Sequence, residues 1–292
     1  MSAPMRDFVV DTGFGRLAGL RAGSGRRVLA LHGWLDNAAS FVPLQPLLEG
    51  VELIAVDLPG HGASAHLPHA AEFTMVTAAR ACFEMADALG WERFDVLGHS
   101  LGASIASVMA AACPHRIERL CAIEALGALV EAEERSAERL RTGFAAQAAL
   151  GSKQLRVFED IATAVRARMQ ANGLSEPVAR LLVERGIAPV RGENGSRGFS
   201  WRSDPRLTTP TLVRMSEGQV RDLLRGIQCP VRVVYATPAQ SYFPEPLRSE
   251  RVAQIAQAEL VVLDGSHHLH MEDPAAVAAA IGTFLSDGFP GD

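Results

Sequence analysis

Phe94-Asp95-Val96-Leu97-Gly98-His99-Ser100-Leu101-Gly102-Ala103-Ser104-Ile105 is the stretch on which the reading of this 292-residue chain turns. Residues 94–97 form a short apolar run that suits a buried strand. Residues 101–112 are small and apolar, suited to a helix packed closely against a sheet, and Pro114 ends it. Between them stands a serine with a glycine two positions away on either side. A strand that turns at once into a helix passes through a sharp, strained bend where large flanking side chains would clash. Glycine at 98 and 102 relieves that crowding and leaves Ser100 exposed at the tip. The helix N-terminus behind it offers a free N–H and the positive end of a dipole. Ser100 is therefore the candidate nucleophile.

Working outward, apolar runs alternate with helical patterns. Residues 27–31 lead into His32-Gly33-Trp34, and residues 51–56 into Asp57-Leu58-Pro59-Gly60-His61-Gly62. Residues 6–10 and 17–21 read as an opening hairpin, and residues 119–123, 231–235 and 260–263 as further strands. Over residues 73–89, Val76, Ala79, Phe83, Ala86 and Leu89 recur at helical spacing, and Gly90 supplies a left-handed cap. Residues 37–48 read as a helix with Asp36 as N-cap, while Asp57 holds its own loop. The last helix has Asp273 as N-cap, Pro274 at its first position, and Val277, Ile281 and Phe284 on one face. The alternation predicts an α/β fold with a mostly parallel central sheet flanked by helices.

From about residue 127 to 226 the pattern changes. Residues 131–141, 154–171 and 177–185 read as helical, residues 192–198 as a Gly-rich turn, and Gly198-Phe199-Ser200-Trp201 as a short turn or strand. No buried strand pattern is seen there before Cys229-Pro230. The expected organisation is a core of residues 1–126 and 227–292, with a helical cap of residues 127–226 over the carboxyl edge of the sheet. Phe144, Phe158, Leu181 and Leu182 would pack the cap helices together or line an apolar pocket.

Composition narrows the class. A net charge of −5 gives no basic field for nucleic acid. No N-terminal run resembles a signal peptide, and the apolar stretches are interrupted by charge, so no membrane span is expected. The four cysteines, Cys82, Cys113, Cys121 and Cys229, show no C-x-x-C spacing and fit reduced thiols in a cytoplasmic protein. No cofactor or metal is expected.

Together, His32-Gly33-Trp34, Asp57-Leu58-Pro59-Gly60-His61-Gly62, Gly98-His99-Ser100-Leu101-Gly102 and the His267-His268 segment resemble the ordered landmarks of the α/β-hydrolase superfamily, across almost the whole chain. Within it, His32-Gly33-Trp34-Leu35-Asp36-Asn37 and Gly198-Phe199-Ser200-Trp201-Arg202-Ser203-Asp204-Pro205-Arg206-Leu207 are similar to the serine hydrolase-like proteins. The resemblance implies the α/β-hydrolase fold and an oxyanion hole of the Leu101 and Trp34 amides.

A serine hydroxyl needs a base. Of nine histidines, His32 and His61 belong to structural loops, His99 points into the strained turn, and His66, His69 and His115 sit in polar loops. His267, His268 and His270 remain, after the last strand and before the last helix. Adjacent histidines rarely point at one metal ion, which disfavours a metal site. The resemblance selects His267, the first position of a pattern like H-x-x-H-x-E-x-P, with His268 as the alternative and His270 as a supporting residue.

The acid departs from the common pattern. The turn where many relatives carry an aspartate reads Ala236-Thr237-Pro238-Ala239-Gln240-Ser241, without a carboxylate. Glu124 directly follows the strand at 119–123, where some members, haloalkane dehalogenases among them, carry their acid. Asp264 is the alternative, but only two residues separate it from His267, which suits loop capping better. Serine rather than aspartate at position 100 disfavours dehalogenase and epoxide hydrolase chemistry, which need a carboxylate nucleophile. The expected activity is hydrolysis of a small-molecule acyl substrate, first of all a carboxylic ester. The alternatives are a non-catalytic ligand-binding protein on the same scaffold and a Ser/His enzyme for perhydrolysis or carbon–carbon cleavage.

Overall fold

The computed structural model describes residues 4–151, 156–191 and 197–287. Eight strands form one sheet: β1 (Arg6–Thr12), β2 (Gly15–Gly23), β3 (Arg26–Leu31), β4 (Val51–Val56), β5 (Phe94–His99), β6 (Ile117–Ile123), β9 (Val231–Thr237) and β10 (Ala258–Asp264). Two more, β7 (Ile187–Arg191) and β8 (Arg197–Trp201), pair as a separate antiparallel ribbon. The large sheet runs β1-β2-β4-β3-β5-β6-β9-β10. β1 and β2 are antiparallel to their neighbours, and the six strands from β4 to β10 are parallel. Each strand run read from the sequence falls inside one of these eight.

The parallel strands are apolar on both faces because helices cover both. Side chains alternate between faces with the strand period of two. Leu29 and Leu31 of β3, Ile54 and Val56 of β4, and Leu120 and Ala122 of β6 enter one core. Val28, Ala30, Leu53, Ala55, Cys121 and Ile123 enter the other. The first core is covered by α1 (Met75–Ala88), α2 (Leu101–Ala112) and α6 (Glu217–Arg225), the second by α9 (Pro274–Ile281) and the 38–48 segment.

Between β6 and β9 lie α3 (Ser136–Leu150), α4 (Ile161–Asn172) and α5 (Glu176–Gly186), the β7–β8 ribbon, and α6. Residues of α4, α5, β7 and β8 share a third core with Met271 of the short helix α8 (Leu269–Glu272). α7 (Glu245–Val252) joins β9 to β10.

Three local readings need correction. Residues 37–48 form two 3-10 turns, Ala38–Phe41 and Gln45–Leu47, instead of one helix; Pro43 and Pro46 cannot supply the amide hydrogens an α-helix requires. The first of them is capped by Asn37, whose side chain accepts from the Ala39 amide, so Asp36 is free for another task. The expected 154–171 helix begins only at Ile161, where Asp160 accepts from the Thr163 amide; Gln154 and Leu155 lie outside the described residues. The β7–β8 ribbon bears out the short turn or strand read at 198–201, which falls inside β8, and adds β7, which Pro189 and a length of five residues hid. Of the Gly-rich turn at 192–198, residues 192–196 lie outside the described residues.

Strand order reverses around β3, since β4 lies on one side of it and β5 on the other. Such a switch point opens a crevice at the carboxyl ends of the strands, where open α/β sheets receive ligands. The loops carrying His32–Asp36, Ser100 and Glu124 all leave the sheet there.

Candidate active site

Ser100 sits between β5 and α2 at φ 51°, ψ −116°. For a residue with a Cβ this costs about 1–3 kcal/mol, so the surroundings must hold it. They do so by close contact. A Cβ on Gly102 would lie 1.9 Å from the Leu31 carbonyl oxygen, and one on Gly98 would lie 2.5 Å from the Ala103 backbone. Among the described residues only two other non-glycines have positive φ, Leu35 at 58° and Glu124 at 60°. All three line or flank one crevice, which concentrates the strain where strand ends meet.

The three expected side chains come together. The Ser100 hydroxyl lies 2.9 Å from His267 Nε2, and His267 Nδ1 lies 3.1 Å from Glu124 Oε2. A carboxylate at Nδ1 draws the ring proton there, leaving the Nε2 lone pair facing the hydroxyl. Glu124 is buried. Its N–H donates to Val234 O at 2.9 Å, and its Oε1 accepts from the Ala236 amide at 2.5 Å. Arg248, fully buried on α7, lies 3.4 Å from the carboxylate and donates to the carbonyls of Ala236 (2.7 Å) and Phe243 (3.0 Å). The carboxylate therefore has a cation and two donors around it. The strand end that would ordinarily carry an acid contributes an amide to Glu124 instead.

Asp264 is exposed at the end of β10. His268 Nε2 lies 3.3 Å from Asp36, not beside Ser100. The amides of Trp34 and Leu101 meet no acceptor among the described residues, and both residues line the crevice with Ser100. The Trp34 ring is more than half exposed and donates through Nε1 to Leu207 O at 2.8 Å.

Behind His267 lies a buried group of polar side chains, among them His270, which the sequence reading took as a supporting residue. His99 Nε2 donates to the His267 carbonyl at 2.7 Å, fixing the backbone that carries that ring. His270 Nε2 meets the Ser40 hydroxyl at 2.6 Å. The His99 and His270 rings lie 4.0 Å apart between centroids, tilted by 33°. Burial, with neighbouring imidazoles adding to it, lowers both, His270 to about 3, so both are neutral at ordinary pH. Asp36 bonds Arg168 of α4 as well as His268. Burial works to raise its pKa, but the His268 hydrogen bond and the Arg168 charge outweigh that and hold it well below the carboxylate range. His32 and His61 are loop braces: their Nε2 atoms accept from Leu58 N (3.1 Å) and Leu35 N (3.3 Å). No side-chain pattern in the sequence pairs Asp36 with an arginine 132 residues away.

A cavity of about 1470 Å³ opens over Ser100. Its walls come from both sides: Leu58, Phe73 and Met75 from one, Leu129, Val213 and Met215 from the 127–226 segment. None of Phe144, Phe158, Leu181 and Leu182 lines it. Phe158 and Leu182 are buried in the third core, the packing role the sequence allowed.

An eight-stranded, mostly parallel sheet with a serine at the strained turn after a central strand is the architecture of the α/β hydrolases. The chain belongs to the Alpha/beta hydrolase family, whose profile matches residues 28–280. It is 31% identical over 272 residues to a serine hydrolase-like protein of Dictyostelium discoideum, covering 90% of this chain and 75% of that one. The crystal structure of a hypothetical protein from Pseudomonas aeruginosa PAO1 superposes with a TM-score of 0.89 at 36% identity, over 96% of this chain and 99% of that one. The thioesterase domain from the curacin biosynthetic pathway superposes with a TM-score of 0.83 at 27% identity, over 96% and 99%. Among the described residues no helix is long and apolar enough to cross a membrane.

Proposed function

We propose that this protein is a serine hydrolase that cleaves a small carboxylic ester through an acyl-enzyme. Ser100 is the nucleophile, His267 the base, Glu124 the orienting acid, and the Trp34 and Leu101 amides the oxyanion hole. The observation that carries the reading is the hydrogen-bonded line from the Ser100 hydroxyl through both His267 nitrogens to Glu124.

In the first step Ser100 Oγ attacks the ester carbonyl while His267 Nε2 takes its proton. The carbonyl oxygen becomes an oxyanion facing the two amides, and Glu124 stabilises the imidazolium. His267 returns the proton to the leaving alkoxide as the carbon–oxygen bond breaks, leaving acyl-Ser100 and an alcohol. Water then enters, gives a proton to Nε2, and attacks the acyl carbon. Collapse releases the carboxylic acid and restores the Ser100 hydroxyl. A donor facing a developing oxyanion contributes about 3–4 kcal/mol to such a step.

Residues 127–226 serve as a cap on a core of residues 1–126 and 227–292. The cavity walls support this, together with ties such as Asn37 Nδ2 to Leu182 O at 2.8 Å and Arg185 to Asp57 at 2.8 Å. Buried, unpaired thiols such as Cys82 and Cys121 fit a cytoplasmic setting.

The test is mass mapping after fluorophosphonate treatment of wild type and Ser100→Ala, followed by an ester and thioester panel. The structural kinship to a thioesterase domain is the reason for including thioesters. A single adduct on Ser100, absent from the variant, and ester turnover are expected. No adduct and no turnover, with ligand-induced stabilisation instead, would favour a non-catalytic binding protein.

A further inference from the structure

Four arginines line the cavity over Ser100: Arg139, Arg206, Arg214 and Arg251. Three have their charge answered. Arg139 donates to Glu131 at 2.5 and 2.9 Å and to Thr211 O at 3.0 Å. Arg206 pairs with Asp204 at 2.7 Å and donates to Leu67 O at 2.5 Å. Arg251 pairs with Glu217 at 2.7 Å and donates to the carbonyls of Leu126 and Ala128, both at 2.9 Å. Arg214 differs: among the described residues it has neither an ion pair nor a hydrogen bond, although it is half-buried.

A partly desolvated guanidinium without a counterion is costly, and a protein avoids it unless a partner arrives. Burial lowers the Arg214 pKa, the Arg139 charge lowers it further, and Glu131 only partly opposes them. The backbone is tied next to it, where the Met215 carbonyl accepts from the Glu131 amide at 3.1 Å. Of the four acids on the lining, Asp36, Glu124 and Asp204 are met by Arg168, Arg248 and Arg206, and Glu72 is exposed and accepts from Gln147 at 3.2 and 3.3 Å. Glu72 does not answer Arg214. The remaining wall is largely apolar, so the cavity offers one free positive charge at the side of an apolar channel.

We propose that Arg214 receives an anionic group of the substrate, so that the preferred ester or thioester carries a negative charge away from the bond that is cut. This rests on the hydrolase reading above and narrows its substrate class. The planar guanidinium suits a carboxylate or a phosphate, held by two parallel hydrogen bonds. The charge has two chemical sources. It is a carboxylate at the far end of the acyl chain, as in the half-ester of a dicarboxylic acid, or a phosphate on the leaving group, as in a coenzyme A thioester.

Two matched substrate pairs separate these sources: monomethyl against dimethyl adipate, and acetyl-coenzyme A against the acetyl thioester of N-acetylcysteamine. Wild type should favour the charged member of one pair by about tenfold or more in kcat/KM. Arg214→Gln should collapse that ratio, chiefly through KM, and Arg214→Lys should restore part of it. The proposal is overturned if neither pair shows a preference for charge, or if Arg214→Gln leaves the ratio unchanged. Calorimetric binding of adipate and of coenzyme A to Ser100→Ala, with and without Arg214→Gln, needs no turnover. At least one ligand should bind about tenfold more weakly to the double variant. Equal binding of both ligands overturns the anion site. Arg214-dependent binding without hydrolysis or Ser100 labelling would overturn the hydrolase reading and keep the site.

Discussion

The floor and the roof of the cavity are built on opposite principles. The floor stands on buried parallel strands: Ser100 follows β5, Glu124 follows β6, and the backbone of β9 holds Glu124 through the amide of Ala236. The roof is α3 to α6 and the coil before α6, and of α3 only Gly143 is buried. α6 packs Val220 and Leu224 into the first core, while α4 and α5 meet the floor through polar links as well, Asp36 to Arg168, Asp57 to Arg185, and Ser175 to Glu272 at 2.8 Å. Close packing fixes positions to fractions of an ångström, as reaction geometry requires. Polar ties at a boundary leave the contacts with substrate free to vary. On the proposed function, the chemistry is invested in the sheet and the selection in the connection between β6 and β9.

The largest blow to the floor is Glu124→Gln. It keeps the shape but removes the charge proposed to orient His267, and kcat for an ester should fall about a thousand- to ten-thousandfold. A loss below about tenfold would show that another group orients the ring. Next is Arg248→Met, which leaves Glu124 buried without its cation. Urea unfolding should show a loss of about 3–5 kcal/mol, against about 1 kcal/mol or less for a comparable exposed pair.

The roof should yield less. Asp36→Asn weakens the tie to Arg168 and the hydrogen bond to His268, with an expected loss of about 1–3 kcal/mol near neutral pH. The sign of its pH dependence follows from the depressed folded pKa. The stabilisation is present above the unfolded value near 3.9 and is lost as pH falls through the folded value, so wild type and variant should converge in acid. A gap of constant size down to pH about 2 would mean that the Asp36 charge is not what holds the roof.

Near neutral pH the smallest effect is expected behind His267, where the signal is a slope with pH. Burial pushes His61 and His270 to about 3, so unfolding takes up protons between pH about 6.5 and 3. Stability is complete above that window and declines as pH falls through it. His270→Gln should reduce the slope by up to about 1.4 kcal/mol per pH unit, measured by urea unfolding at several pH values.

Much of the floor was legible because its signals are local. A buried strand, a serine between glycines and a small-residue helix lie within one short stretch, and Glu124 follows its strand directly. His267 needed the family resemblance to single it out from His268. What stayed hidden is non-local. Asp36 read as a cap because acids before turns usually are caps, whereas Asn37 caps and Asp36 reaches α4 and the His267 loop. His99 has the same character, since its partner is a backbone carbonyl 168 residues away. Arg248 and Arg251 are both buried, and no local pattern marks them, because carbonyls and carboxylates that satisfy them come from other elements.

The spacing of the proposed triad along the chain also has a consequence for biosynthesis. Ser100 and Glu124 emerge together from the ribosome, joined by one βαβ unit, while His267 follows Ser100 by 167 residues. Until that late segment leaves the exit tunnel, the nascent chain carries an ordinary alcohol at its elbow. Esters and thioesters in the surrounding medium would therefore meet no activated serine on an unfinished polypeptide. Under the proposed mechanism, reactivity is switched on only by completion of the sheet's far edge, which makes folding itself the zymogen-like step.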